Sequence, residues 1–230
     1  MSRHLLRDIE KLNGELLAIS SMVEEMIDNA TQALTEKRYE LVDKVIASDQ
    51  YVDENEVHVE EECLKILALH QPVAVDLRRI ATLMKVNNDL ERIADLAVNI
   101  AERARALEPF PEFQIPEDLR KMVVLATQSV RGAMDALVNL DTVAASRIIT
   151  LDHSVDEYNR LLIETLSKVM HSSPDLVPAA LNCFSAVRHI ERIADHATNI
   201  AEDVIYLVEG DIVRHRSRYG AKDSPGDSSK

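Results

Sequence analysis

The sequence predicts an all-α protein made of two similar three-helix bundles related by internal duplication. Three observations lead there. Glu91–Glu102 reads ERIADLAVNIAE and Glu191–Glu202 reads ERIADHATNIAE, so ten of twelve positions repeat at an offset of 100 residues. Self-similarity at such an offset marks a duplicated structural unit. Long segments place apolar residues at alternating spacings of three and four, and none alternates with period two for long enough to read as a strand. The 230 residues include only 5 Gly and 7 Pro, with aromatics at 3%, so little in the chain interrupts a helix.

The elements follow in order. Helix 1 is predicted from near Leu5, with Ile9, Leu12, Leu16, Ile19, Val23, Met26, Ala30 and Ala33 forming one apolar seam that ends near Glu36-Lys37-Arg38. Helix 2 is predicted from about Tyr39 to His70, acidic in its middle, and Gln71-Pro72 stops it. Helix 3 is predicted from about Ala74 to Leu107. Three prolines then fall between Pro109 and Pro116, which cannot stay helical and read as the joint between halves. Helix 4 starts there, and Leu119, Val123, Ala126, Val130, Ala133 and Leu137 repeat the rhythm of helix 1. A turn at Asn139–Thr142 leads to helix 5, about Val143–Met170. His171-Ser172-Ser173-Pro174 turns the chain, and helix 6 runs from about Asp175 to Glu209 with Gly210 as its cap. The expected organisation is a first bundle over residues 1–108, a second over 109–212, and a basic, polar and disordered tail over 213–230.

Composition excludes several function classes. Lys+Arg 26 against Asp+Glu 40 gives a net charge of −14, which repels nucleic acid and anionic lipid. No apolar run approaches the roughly 18–20 residues of a membrane span. The first residues, MSRHLLRDIEKLNG, carry acids and no small-residue cleavage site, so no signal peptide is expected. The two cysteines, Cys63 and Cys183, sit inside helical patterns and read as buried free thiols, which points to the cytoplasm. There is no Gly-rich phosphate loop, no Gly-x-Ser-x-Gly and no Cys-x-x-Cys.

The repeated segment carries the chemistry. At about 100° per residue, with Glu91 at zero, Asp95 falls near 40°, Asn99 near 80° and Glu102 near 20°. Ile93, Ala94, Ala97, Ile100 and Ala101 lie on the opposite face. The alanine–isoleucine face is therefore expected in the bundle and the acidic stripe outside it. Glu191, Asp195, Asn199 and Glu202 repeat the stripe on helix 6. Two readings fit: a solvated acidic seam or an oxygen-rich metal site. Three features favour the metal. The four positions match in both copies. The stripe contains no Lys or Arg, although like charges at i,i+4 cost roughly 0.2–0.5 kcal/mol per pair. Asp and Asn are also weak helix formers.

The neighbouring helices sharpen this reading. Helix 2 carries Asp49 and Asp53, and helix 5 carries Asp152 and Asp156. In an antiparallel hairpin, Asp53 level with Glu91 and Asp49 level with Asp95 share one midpoint, Pro72, which is the predicted turn. Asp156 with Glu191 and Asp152 with Asp195 share a midpoint between Ser173 and Pro174, again the turn. Carboxylates held this close repel unless protonated or bridged by a cation. Their hard oxygens suit Mg, Ca or Mn, and Fe when bridged. The stripe rises about 16 Å, too long for one ion. No Glu-x-x-His tetrapeptide of the ferritin-like kind occurs. His153, beside Asp152, is a weak ligand candidate, and His196 reads as an ordinary polar residue.

At these residues the chain resembles the PhoU family, accessory and regulatory proteins of bacterial phosphate uptake. The matching stretches are QPVAVDLR at Gln71–Arg78, DLERIADLAVNIAE at Asp89–Glu102, IERIADHATNIAE at Ile190–Glu202, and the Asp-x-x-Val-Asp runs at Asp49–Asp53 and Asp152–Asp156. The resemblance covers about Leu5 to His215. It implies two similar three-helix bundles and places the family's Glu/Asp-x-x-x-Asp metal motifs on Glu91/Asp95 and Glu191/Asp195. Members differ in the metal they hold, which is iron, zinc, magnesium or manganese. The resemblance further implies an adaptor role between the ATPase of a phosphate ABC transporter and a sensor histidine kinase, restraining phosphate-starvation signalling. It also implies a homodimer that meets the membrane only through its partners. Ala94 and Ala194 stand where the family often has Gly, and Leu96 where it often has His.

Two function classes are therefore expected to compete: a regulatory adaptor with metal sites and no turnover, and a metal-dependent enzyme using carboxylate-bridged ions. Two equivalent, outward-facing sites make poor enclosed active-site pockets, which favours the adaptor.

Overall fold

In the computed structural model, which describes residues 3–210, the seams become helices close to their predicted limits. Helix α1 spans Arg3–Glu36 and buries every residue of its predicted seam from Ile9 to Ala33. Lys37, at φ 60, stops it. A single 3-10 turn at Tyr39–Leu41 leads into α2, Val42–His70. Gln71 takes the left-handed conformation there and its N–H closes on the Leu67 carbonyl at 3.1 Å. Helix α3 spans Val75–Arg105, with Arg103 and Arg105 in its last turn, where cations complement the helix dipole.

Helix α4 spans Glu117–Asn139, with Glu117 and Asp118 at its positive end. Its core face differs slightly from the predicted one: Met122 is buried and Val123 only half-buried. Helix α5 spans Thr142–Ser172. Asp141 caps it, its side chain accepting hydrogen bonds from the backbone N–H groups of Val143 and Ala144, both at 2.9 Å. A 3-10 turn at Pro174–Leu176 precedes α6, Val177–Glu209, which ends on Gly210 at φ 81. Among the described residues there is no strand. The tail expected over 213–230 lies outside the described residues.

The predicted proline-rich joint is anchored at several points. Phe113 is buried in the core, and Lys37 donates from Nζ to the carbonyl oxygens of Pro111 and Phe113 at 2.6 and 3.2 Å. Arg120 at the start of α4 donates to the Thr35 carbonyl at the end of α1 at 2.8 Å. The joint therefore also joins the two halves side by side.

The central pair is α3 and α6, which pack along each other while α1 and α2 cover α3 and α4 and α5 cover α6. Ile93, Ala94, Ala97, Ile100 and Ala101 are buried as predicted, and so are their counterparts on α6. Small alanines let the two backbones approach, and the isoleucines fill the space between turns. The buried apolar residues form one cluster that runs through both halves. Cys63 and Cys183 are free thiols within it, and burial pushes both up to about 12, so they remain protonated.

Candidate functional site

The hairpin turn sets the register of the acidic residues. Because α2 and α3 are joined by a few residues around Pro72, Asp49 and Asp53 lie across from Asp95 and Glu91. The carboxyl groups act on one another accordingly. Burial pushes Asp49 up to about 6, with the charges of Asp53 and then Asp95 adding to it. Burial also raises Glu91, followed by the charge of Asp95, with Arg92 opposing and Glu56 and Asp53 contributing. Arg92 stands between Glu91 and Asp95 at 3.3 Å from each.

The second half repeats the arrangement. Burial pushes Asp152 up to about 6, reinforced by Asp195 and Asp156, opposed by His153, with Glu191 adding a little. Glu191 is raised by burial and by Asp195, against the pull of Arg188, whose guanidinium lies 2.9 Å away. Two carboxylates on one helix thus face two on its neighbour in each half, as the midpoints predicted. They are partly withdrawn from water, so full ionisation is opposed both by burial and by like charge.

Two carboxylate oxygens in this seam are buried without a hydrogen-bond donor, Asp49 Oδ1 in the first half and Glu191 Oε2 in the second. A buried carboxylate oxygen without a donor carries a desolvation cost that a proton or a cation would relieve. The donor set is all oxygen, which fits a hard cation. Among the described residues, no three His, Cys, Asp or Glu side chains converge closely enough to hold an ion as they stand. Each half therefore presents facing pairs of carboxylates, and a cation would have to draw them together.

The outer members of the stripe sit apart from these pairs. Asn99 donates to the Asp95 carbonyl one turn back at 2.7 Å, and Glu102 is exposed beside Arg103 at 3.5 Å. Asn199 lines a separate cleft of about 370 Å³ with Met84, Lys85, Asn88 and Asp89, and Glu202 follows one turn later on the same helix.

Sequence reasoning missed two positions inside the seam. Glu56 acts on Glu91, and Asn159 donates to Glu191 Oε1 at 3.4 Å. The spacing of 103 residues that relates Asp49 to Asp152 also relates Glu56 to Asn159, and both lie three residues past the second Asp of their pair. That spacing was the available signal. It also shows where the halves differ, since an acid in one is an amide in the other. His196, read as an ordinary polar residue, bridges the halves: its Nδ1 lies 2.7 Å from Asp89 Oδ1 on α3. One turn along, Lys85 pairs with the buried Asp203 at 3.0 Å. These contacts lock α3 against α6.

Comparison with known proteins gives one consistent result. A family model described as the PhoU domain matches residues 16–104 and again 119–204. A phosphate-specific transport system accessory protein PhoU homolog from Aquifex aeolicus is 38% identical over 213 residues, covering 92% of this chain and 96% of the relative. A homolog of the same name from Pseudomonas aeruginosa is 35% identical over 218 residues, covering 94% and 89%. Among solved structures, that of PhoU from Pseudomonas aeruginosa superposes with a TM-score of 0.86 at 35% identity, covering 89% of this chain and 99% of that one. The phosphate transport system regulatory protein PhoU from Streptococcus pneumoniae gives 0.85 at 26% identity, covering 91% and 99%.

Proposed function

The chain belongs to the PhoU family, and from that membership we propose that it is an accessory protein of phosphate uptake that restrains phosphate-starvation signalling as a metal-binding adaptor. Its partners in this reading are the ATPase of a phosphate ABC transporter and the cytoplasmic part of a sensor histidine kinase. It acts in the cytoplasm as a homodimer and carries out no turnover of its own. The single observation that carries the family role is the double match of the PhoU domain over both halves, supported by relatives named as transport-system accessory proteins. The net charge of −14 supports control through protein partners rather than through DNA.

The metal part of the reading rests on the facing carboxylates. Asp49, Asp53, Glu91 and Asp95 would hold a cation in the first half, and Asp152, Asp156, Glu191 and Asp195 in the second. Asn99, Glu102, Asn199 and Glu202 extend each stripe toward further ions. What supports this is the orphaned Asp49 Oδ1 and Glu191 Oε2 together with the raised carboxyl groups around them. The bound cation supplies positive charge that lets the seam ionise. The protein's own residues do the rest: α2 and α3, or α5 and α6, present oxygens from two helices, so binding clamps each hairpin. Iron, zinc, magnesium and manganese are the candidate metals.

Asp95→Asn with Asp195→Asn tests the site. Metal content of protein purified without an affinity tag should fall, and the rise in melting temperature on adding Mn²⁺ should shrink, because a ligand stabilises only by the affinity it has for the folded state. Equal metal content and equal thermal response in the double variant would refute the assignment.

A further inference from the structure

The hairpin turn of the first half does more than join two helices. From Leu69 to Leu77 it presents a run of aliphatic side chains to solvent, with Leu69 78% and Val73 76% exposed and Val75 and Leu77 also outside. Valine and leucine so exposed and so close together are a liability on a free surface. The equivalent turn of the second half, around His171-Ser172-Ser173-Pro174-Asp175, is polar. The duplication supplies an internal control: a turn needs no aliphatic tip to connect these helices, yet one copy carries it.

The tip also has a set shape. Gln71 at φ 44 and Ala74 at φ 50 both lie in the left-handed region without being glycine, whereas the second turn has no such residue. The shape is held by bonds from Gln71 N–H to Leu67, from Asp76 N–H to Val73 and from Arg78 N–H to Ala74, at 3.1, 3.2 and 3.0 Å. Strained backbone that persists in a structure points to a functional demand on that conformation.

The surroundings are cationic, in a chain whose net charge is −14. Arg78 and Arg79 follow the tip on α3, and the Arg78 guanidinium lies against Gly210 at the end of α6. Arg7 stands on α1, beside Asp8, which pairs with His70 at the end of α2 at 3.0 Å. The nearby acids are Asp8, already held by His70 and Arg7, Glu62, which shares a cleft with Leu69 and is held by Lys65 and Lys11, and Asp76.

We infer that the Leu69–Leu77 tip is a docking knob for a protein partner that offers an apolar socket rimmed by carboxylates, and that this partner is the transporter's ATPase. The tip is a helical-hairpin turn whose Leu69 and Val73 are 78% and 76% exposed, so an acceptor that covers them is concave. Its rim is arginine, so the acceptor's rim is acidic. A preset backbone serves shape recognition, which a fluid lipid surface does not reward, and the tip has no Trp or Tyr of the kind that anchors proteins at bilayer interfaces. The inference rests on the accessory-protein reading for the identity of the partner and adds the surface that meets it.

The test is a titration of the full chain against purified transporter ATPase, with Leu69→Ser/Val73→Ser, with Val73→Glu, and with a control that alters exposed leucines of the second half, Leu161→Ser/Leu181→Ser. All of these side chains are exposed, so each variant should keep wild-type helicity and melting temperature. Both tip variants should weaken binding by at least about tenfold, as removal of a central anchor does, and the control by less than about twofold. Added salt should weaken wild-type binding further. Tip variants that bind the ATPase as well as wild type overturn the knob and leave the adaptor role standing. A wild-type chain that does not bind the ATPase overturns both. The same variants are measured on vesicles containing anionic lipid and by light scattering. Loss of vesicle binding, or of self-association, with ATPase binding intact assigns the tip to lipid or to a second copy and overturns the inference.

Discussion

Replacing Ile100 and Ile200 together with alanine is expected to remove most of the protein's stability. Both side chains are fully buried on the central helix pair, α3 and α6. Truncating a buried isoleucine to alanine costs about 2–5 kcal/mol, through lost transfer energy and the cavity left behind. Two such losses compare with a total stability of about 5–15 kcal/mol for a folded domain. Because the buried cluster runs through both halves, either single variant should move one common unfolding transition to lower urea. A double variant that loses less than about 1 kcal/mol would show that α3 and α6 are not the shared core.

The acidic seam predicts a second effect with a definite sign. Asp49 and Asp152 sit at about 6 in the folded protein, against 3.8 for an unperturbed aspartate. A raised folded pKa means the native state holds protons that the unfolded chain has released. The stabilising contribution is therefore complete below the unfolded value and is lost as pH rises through the folded one. Both groups are only partly withdrawn from water, so screening reduces the effect to about 1 kcal/mol each. Asp49→Asn/Asp152→Asn removes the titration, so the metal-free wild type should lose stability relative to this variant between about pH 4 and pH 6. The difference isolates the seam from Asp8, Glu25 and Glu62, which are shifted the opposite way. Chemical denaturation across that range measures it. Mn²⁺ should restore the wild type at neutral pH and do nothing at pH 4, where protons compete for the same oxygens. A wild type that gains stability over the variant as pH rises would contradict the seam.

What the sequence made legible divides along one physical line. Contacts joined by a short turn could be derived, because the turn sets the register: Pro72 placed Asp49 opposite Asp95, and the Ser173–Pro174 turn placed Asp152 opposite Asp195. Helical periodicity likewise gave the buried faces of α1, α3 and α6. Contacts between elements far apart in the chain could not be derived. No turn joins α3 to α6, so nothing in the sequence placed His196 beside Asp89 or Lys85 beside Asp203. For the same reason the cleft that Asn199 lines beside α3 could not be read from its place in the stripe. Phe113 lay in a segment that proline marks as irregular, and irregular backbone carries no periodicity from which to read burial. The left-handed Ala74 has no local signature, since alanine rarely adopts that conformation.

Restraint of phosphate-starvation signalling is the role proposed for this chain. The most direct measurement is the output of a phosphate-starvation gene in phosphate-rich medium, in the host strain with and without the gene for this chain. The starvation gene is expected to switch on when the chain is deleted and to fall silent again when the wild-type chain is restored. A deletion strain that keeps the gene silent at high phosphate would contradict it.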